Sequence, residues 1–232
     1  MIPKKIHYVW VGDQDKIHEV EKEWMEEVKA MHPDWEVKIW SDKDVPVNTY
    51  LTKCLAENLH NYAADYIRAY VLYHQGGIYL DTDVKLLKPI PDKWRSYNAI
   101  APKETPWMIS NFLLGSIKLG RMAKHLLDLY ENFEDNGEPL DEDWWVAPKV
   151  LDIVVPKSFG KWGVCHPDNG TYVGSESCLI LEEKIICPYY PWNADRINHH
   201  VNTAESVGIH YWNSYKKSQG LDLLSFETKY FD

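Results

Sequence analysis

The chain is poor in cysteine and carries no paired pattern of it. Cys54, Cys165, Cys178 and Cys187 are its four cysteines, and none stands in a Cys-x-x-Cys pair. That spacing excludes a zinc ribbon and leaves reduced, mostly buried thiols as the expectation. Long apolar runs are missing too. Nothing approaches the roughly 20 residues of a membrane span, and the stretch from Met1 to Trp10 is too short in apolar residues for a secretory leader. The expectation is a cytoplasmic protein with at most peripheral membrane contact. Positive charge is also scarce: Lys and Arg number 25 against 35 Asp and Glu, a formal net charge of −10. A broad nucleic-acid surface or electrostatic docking on anionic lipid needs a positive field, so no nucleic-acid partner is expected. No internal repeat or low-complexity tract stands out.

What is present is an ordinary globular composition. At 232 residues, 45% hydrophobic and 26% charged, the chain can bury a good core, and one domain over 1–232 is the expectation. Eleven Trp and fifteen Tyr are many for this length. Flat aromatic faces stack on sugar C–H surfaces and nucleobases, but they also fill cores, so the count is suggestive only.

Hydrophobic periodicity organises the first half. Ile6 to Val11 is a short apolar run closed by Gly12-Asp13, a buried first strand ending in a loop. Between Lys16 and Met31 the apolar residues Ile17, Val20, Trp24, Val28 and Met31 keep a helical period. Trp35 to Trp40 alternates as a half-buried strand should, so strand, helix and strand read as a parallel βαβ unit. Helices are expected over Thr49 to Leu59 and Asn61 to Gln75, the second ended by Gly76-Gly77. The all-apolar strand Ile78 to Leu80 suits the centre of a sheet covered on both faces. Further on, Ala99 to Ala101 and Phe112 to Leu114 are strand candidates, and Arg121 to Phe133 and Trp144 to Val155 are helix candidates. Gly160 to Cys178, rich in Gly, Pro, Asn and Ser, is expected to be irregular. The pattern predicts an α/β protein, a Rossmann-like sheet with an appended mixed sheet. In such sheets ligands sit beyond the carboxyl ends of the strands.

Asp81 and Asp83 lie at such an end. Two apart on an extended backbone, their side chains lean to one face and can share a hard cation, Mn²⁺ or Mg²⁺. A bare Asp-x-Asp also occurs as a surface turn capped by acids. Asp65 and Arg68, three apart on the preceding helix, share a face and could form no more than a solvated ion pair. The Gly76-Gly77 turn joins that helix to the strand of the acidic pair, so this face can reach the same site.

Together, Asp65-x-x-Arg68 and Gly76-Gly77-Ile78-Tyr79-Leu80-Asp81-Thr82-Asp83 resemble the signature of glycosyltransferase family 32. The resemblance implies the GT-A fold, with a nucleotide-binding half over about 1–115 and an acceptor or closing half over about 116–232. It also implies a metal-dependent, retaining transfer of a hexose or N-acetylhexosamine from a nucleoside-diphosphate sugar. The acceptor class it suggests is a glycan or lipid-linked oligosaccharide, in bacterial surface polysaccharide synthesis. A cation held by Asp81 and Asp83 would neutralise the departing diphosphate, which a chain of net charge −10 otherwise repels.

The same resemblance assigns the other site residues. Asp65 would bond hydroxyls of the donor sugar, and Arg68 would contact the sugar or diphosphate with its planar fork. Many family members carry Ser before the acid, where this chain has Ala64, so that hydroxyl contact is lost. Tyr79 touches the donor or simply packs. The opening Ile2-Pro3-Lys4, with Val9 and Trp10 at the end of its strand, is similar to the family's first motif, and Trp10 would stack on the nucleobase. Gly208 to Lys216 is similar to the closing segment, with Tyr215 where Trp is commoner. It implies His210 as third metal ligand, with Asn213 or Ser214 as substitutes, and places Trp212, Ser214 and Lys216 near the diphosphate. Trp145 to Leu151 and Ile186 to Pro191 are weaker matches, and Asp141 to Asp143 reads as an acidic loop. His199-His200 is an adjacent pair with opposed directions and makes no metal site by itself.

Two other readings compete. A non-catalytic binder of sugar nucleotides or glycans would keep the site and show saturation without turnover. A phosphatase of the haloacid dehalogenase type also places Asp-x-Asp after an apolar strand. There the nucleophile lies in the opening strand and Thr or Val stands two residues beyond the pair, where this chain has Lys85.

Overall fold

The computed structural model of the chain describes residues 1–105, 108–140, 150–151, 154–155, 158, 170–173, 176–187 and 204–213. In chain order its elements are β1 (Lys5–Val9), α1 (Glu19–Met31), β2 (Glu36–Trp40), α2 (Thr49–Ala56), α3 (His60–Gln75), β3 (Gly77–Leu80) and β4 (Val84–Leu86). There follow β5 (Ala99–Thr105), β6 (Met108–Ile109), β7 (Leu113–Ser116), α4 (Arg121–Glu131), β8 (Gly170–Val173), β9 (Glu176–Leu181), a single helical turn Glu183–Ile186, and β10 (Gly208–His210).

The main sheet runs β2-β1-β3-β7-β5-β9-β8 with β6 added to β5, and β4 pairs with β10 in a separate ribbon. β1 is parallel to both β2 and β3, with His7 level with Lys38 on one side and Tyr79 on the other. β7 runs antiparallel to β3 and β5, and β5 is parallel to β9. Strands β1, β2, β3, β5 and β9 therefore end at one edge. The expected βαβ start, the central all-apolar strand and the mixed extension are all present.

Side-chain alternation splits the core into two layers. Val9, Tyr79, Ala101, Leu114 and Ile180 pack with α2, α3 and α4, while Ile6, Tyr8, Ile78, Leu80, Leu113 and Leu179 pack with α1 and the β4–β10 ribbon. Successive strand residues face opposite ways, so β3 is covered on both sides by four buried residues in a row.

Element ends follow local chemistry. α1 begins at Glu19 rather than Lys16 because the His18 ring caps it, accepting from the Val20 N–H. Asn48 caps α2, and Asn58, at φ 59°, ends that helix before Leu59. The Gly76-Gly77 turn is required by both conformation and space: φ is 63° and 110°, and a Cβ on Gly77 would stand 2.8 Å from His7 Nε2.

One expectation is corrected. Gly160 to Cys178 is not irregular throughout, since β8 and the first half of β9 form an antiparallel pair within it. The apolar Cys178 to Leu181 run pairs with β5, and this draws the polar residues before it into the sheet. Of the helix expected over 144–155, the described residues Val150, Leu151, Val154 and Val155 are helical and buried. Asp141 to Lys149, Cys165, His199-His200 and Pro188 to Pro191 lie outside the described residues.

Candidate metal centre

Asp81 and Asp83 meet, but not because the strand continues through them. β3 ends at Leu80, the Val84 N–H returns to the Asp81 carbonyl at 3.1 Å, and the chain turns over 81–83. This turn brings the two carboxylates together where an extended backbone was expected to.

The third wall arrives from far along the sequence. β10 pairs antiparallel with β4 so that His210 lies opposite Val84. The imidazole is stacked on Phe112 at 4.5 Å and tilted against Trp212 at 4.2 Å. Its Nε2 lies 3.3 Å from Asp83 Oδ1 and 3.9 Å from Asp81 Oδ2. One ligand atom from each of Asp81, Asp83 and His210 falls within 4.8 Å of the others. Asp83 and His210 are 12% and 8% exposed at the side chain, whereas Asp81 is 24% exposed and forms the open side.

The electrostatics suit a cation. Burial pushes the Asp81 carboxyl up and the Asp83 carboxylate adds to this, against the opposing charges of Arg68 and His210. For Asp83 burial also works upward, but the His210 charge, its hydrogen bond and the Asn213 N–H hold the group below its usual range. Burial works to lower the His210 pKa, and the carboxylates of Asp83, Asp81 and Glu104 raise it. Two carboxylates and an imidazole make a donor set of hard oxygen with a borderline nitrogen. That set fits Mn²⁺ better than Mg²⁺, which prefers oxygen alone.

Beside this cluster runs a buried polar chain. Arg68 Nη1 pairs with Asp65 Oδ1 at 2.9 Å, and Arg68 Nη2 reaches Tyr79 Oη at 3.0 Å and Asp81 Oδ1 at 3.2 Å. The Tyr79 hydroxyl donates in turn to Asp81, and the guanidinium lies 4.2 Å over the Tyr79 ring. Asn111 Nδ2 donates to Asp65 Oδ1 at 3.0 Å. Asp65 and Arg68 are thus no solvated surface pair: they are 8% and 6% exposed. Burial raises the Asp65 carboxyl to about 6 despite the Arg68 charge. Tyr79 is buried and spent on Arg68 and Asp81, which makes it a brace for Asp81.

The remaining predicted residues are placed as follows. Val9 is buried, and Trp10 is half-buried, its Nε1–H bonded to the Asp13 carbonyl at 2.9 Å. Because His7 is level with Tyr79, both leave the sheet at the edge where Asp81 does. Trp212 adopts φ 58° and packs beside His210. Ser214 and Lys216 lie outside the described residues.

Sequence reasoning missed Glu21, Glu104 and Asn111, and offered Asn213 only as a substitute ligand. The Asn213 N–H donates to Asp83 Oδ2 at 2.8 Å while its side chain donates to Glu21 Oε1 at 2.7 Å. Glu104, at the end of β5, is buried, its carboxyl raised by burial. A signal for Glu21 exists. Ile17, Glu21, Trp24, Val28 and Met31 form one helical stripe, and Glu21 is the charged residue within it.

Comparison with known proteins places this geometry. Residues 18–105 match the family described as glycosyltransferase sugar-binding region containing DXD motif. The chain is 33% identical over 128 residues to inositol phosphoceramide mannosyltransferase 3 of Schizosaccharomyces pombe, covering 50% of this chain and 34% of that protein. It is 25% identical over 188 residues to mannosyl phosphorylinositol ceramide synthase SUR1 of Saccharomyces cerevisiae, covering 74% of this chain and 45% of that protein. The chain thus spans less than half the length of these curated relatives. Among solved structures, the PaToxG glycosyltransferase superimposes with a TM-score of 0.55 at 20% identity, over 67% of this chain and 69% of that one. A glycosyltransferase involved in the glycosylation of the major capsid of PBCV-1 does so with 0.50 at 13% identity, over 93% and 97%. At these identities the likeness establishes the fold.

Proposed function

We propose that this chain of GT-A fold is a glycosyltransferase family 32-like protein that moves a hexose or N-acetylhexosamine from a nucleoside-diphosphate sugar to a glycan or lipid-linked acceptor hydroxyl, with retention at the anomeric carbon. The observation that carries this reading is the convergence of Asp81, Asp83 and His210 at the carboxyl edge of the sheet, open on the Asp81 side and beside the buried Asp65–Arg68 pair. The names of the relatives put mannose first among the sugars and a lipid headgroup among the acceptors.

Asp81, Asp83 and His210 would hold a divalent cation, which supplies Lewis-acid stabilisation of the leaving diphosphate. Arg68, its fork fixed by Asp65, Tyr79 and Asp81, adds positive charge on the same side without any reorganisation. Remaining acceptor capacity on Asp65 takes a hydroxyl of the donor sugar, which orients the anomeric carbon. Trp10 gives an aromatic face at the same strand edge for the base. The bond from the anomeric carbon to the diphosphate oxygen breaks, and a bond from that carbon to the acceptor oxygen forms on the same side. The acceptor proton passes to the departing diphosphate. That route requires no separate enzyme base.

The test is a hydrolysis screen with Mn²⁺ across UDP-Glc, UDP-Gal, UDP-GlcNAc, UDP-GalNAc and GDP-Man. Turnover of one donor well above the rest supports the reading. Saturable binding of a donor with no turnover of any of them would move the assignment to a sugar-nucleotide binder.

A further inference from the structure

Glu21 occupies a position where the helix period calls for an apolar side chain. It lies one turn before Trp24 and Met25 on the buried face of α1, and it is 5% exposed. Burying a carboxylate there opposes folding unless it is well partnered, and burial does push its pKa up. Its hydrogen-bond partner is neutral, Asn213 Nδ2 at 2.7 Å from Oε1, and the nearby Thr82 side chain, also neutral, favours its charged form. Oε2 is buried with no hydrogen-bond partner among the described residues. A Leu or Met at this place would pack without that penalty, so stability alone does not account for the acid.

Its contacts do. Thr82 is the middle residue of the turn that carries both aspartates, and Asn213 is the residue whose backbone N–H donates to Asp83 Oδ2 at 2.8 Å. One turn along α1, Trp24 packs against the ring of Tyr211 at 4.6 Å, and the Tyr211 N–H donates to the Asp83 carbonyl at 2.9 Å. The strand that brings His210 to the site is only three residues long and pairs with three. So short a ribbon does not hold itself in register; α1 clamps it from outside.

We propose that Glu21 is a positioning residue for the cation site: by holding the Asn213 side chain, it keeps the Asn213 backbone N–H on Asp83 Oδ2 and leaves Asp83 Oδ1 facing His210. This rests on the reading of Asp81, Asp83 and His210 as cation ligands. Glu21 acts through Asn213 and is not itself a ligand. Outer partners of this kind fix ligand orientation, and their loss weakens metal binding by about 10- to 100-fold.

The experiment measures Mn²⁺ binding directly, by water-proton relaxation with the metal alone, on the parent chain and on Asp83→Ala, Glu21→Ala, Glu21→Gln, Asn213→Ala and the Glu21→Ala/Asn213→Ala double variant. Thermal unfolding of each confirms that it is folded. Expected results are loss of binding in Asp83→Ala and weakening of at least about 10-fold in both Glu21→Ala and Asn213→Ala. The double variant should be no weaker than the worse single one, since both cut the same link. Glu21→Gln keeps the acceptor for Asn213 Nδ2 and should bind within about threefold of the parent, a rescue that a long-range charge effect does not give. If Glu21→Ala does not fold, Asn213→Ala and Glu21→Gln carry the comparison. Parent-like binding in Glu21→Ala or Asn213→Ala, or equal losses in Gln and Ala, overturns the proposal and leaves the cation site standing. A parent chain that binds no Mn²⁺ overturns both.

Discussion

Arg68 Nη2 lies 3.0 Å from Tyr79 Oη and 3.2 Å from Asp81 Oδ1, so one guanidinium on α3 braces the strand end that carries the acidic pair. The same group holds Asp65 through its other terminal nitrogen. Removing it strands the Asp65 carboxylate in the interior and takes the guanidinium from the partly exposed Asp81. Arg68→Ala should therefore lose about 3 kcal/mol or more of folding stability, read by urea denaturation. Arg68→Lys keeps the charge but not the fork. It should recover part of that stability while donor turnover stays at least about 10-fold down, because one ammonium cannot serve Asp65, Tyr79 and Asp81 in the same geometry. Parent-like turnover in Arg68→Lys would show that the fork is not needed.

Gly77 admits no side chain. At φ 110° its Cβ would stand 2.8 Å from both His7 Nε2 and the Lys5 carbonyl oxygen, and backbone cannot step aside. Gly77→Ala should destabilise the fold by about 2 kcal/mol or more, visible as a lowered thermal midpoint. An unchanged midpoint would mean that β1 and β3 are not packed as described.

His7 makes stability depend on pH with a definite sign. Trp40 Nε1–H donates to His7 Nδ1 at 3.1 Å, so the neutral ring carries its proton on Nε2 and donates it to the Gly76 carbonyl at 2.7 Å. Burial lowers the pKa of the ring from 6.5 to about 4. Between those values the unfolded chain takes up a proton that the folded chain refuses. The contribution is complete above the unfolded value and fades as pH falls from about 6.5 to about 4, by up to about 3 kcal/mol. Urea titrations at several pH values should show this loss in the parent. They should show it reduced in His7→Asn, which does not titrate.

The fold was legible wherever a long local period carried it. Ile17, Trp24, Val28 and Met31 mark α1, and Ile78 to Leu80 marks a strand covered on both faces. The β4–β10 ribbon was not legible, because three-residue strands 124 positions apart, from Val84 to Gly208, leave no period to read. β8 and the start of β9 were hidden in polar sequence that becomes sheet by pairing with each other, next to the Cys178 to Leu181 run that β5 holds. At the site, the acidic pair and the Asp65–Arg68 face stood out as motifs, but their burial did not. Three-residue spacing is the same for an exposed ion pair as for one sealed between α3 and β3. Glu21 left a mark, a charge inside an apolar stripe, whose meaning depends on Asn213 arriving from the far end of the chain.

If Asp81, Asp83 and His210 hold a divalent cation, sugar transfer depends on it. The direct measurement is release of sugar from the donor that the screen selects, followed with Mn²⁺ and with EDTA, in the parent, Asp83→Ala and His210→Ala. Turnover should require Mn²⁺, vanish in EDTA, drop at least about 100-fold in Asp83→Ala, which removes a ligand oxygen, and drop less in His210→Ala. Turnover that persists in EDTA, or an Asp83→Ala chain as active as the parent, contradicts that dependence.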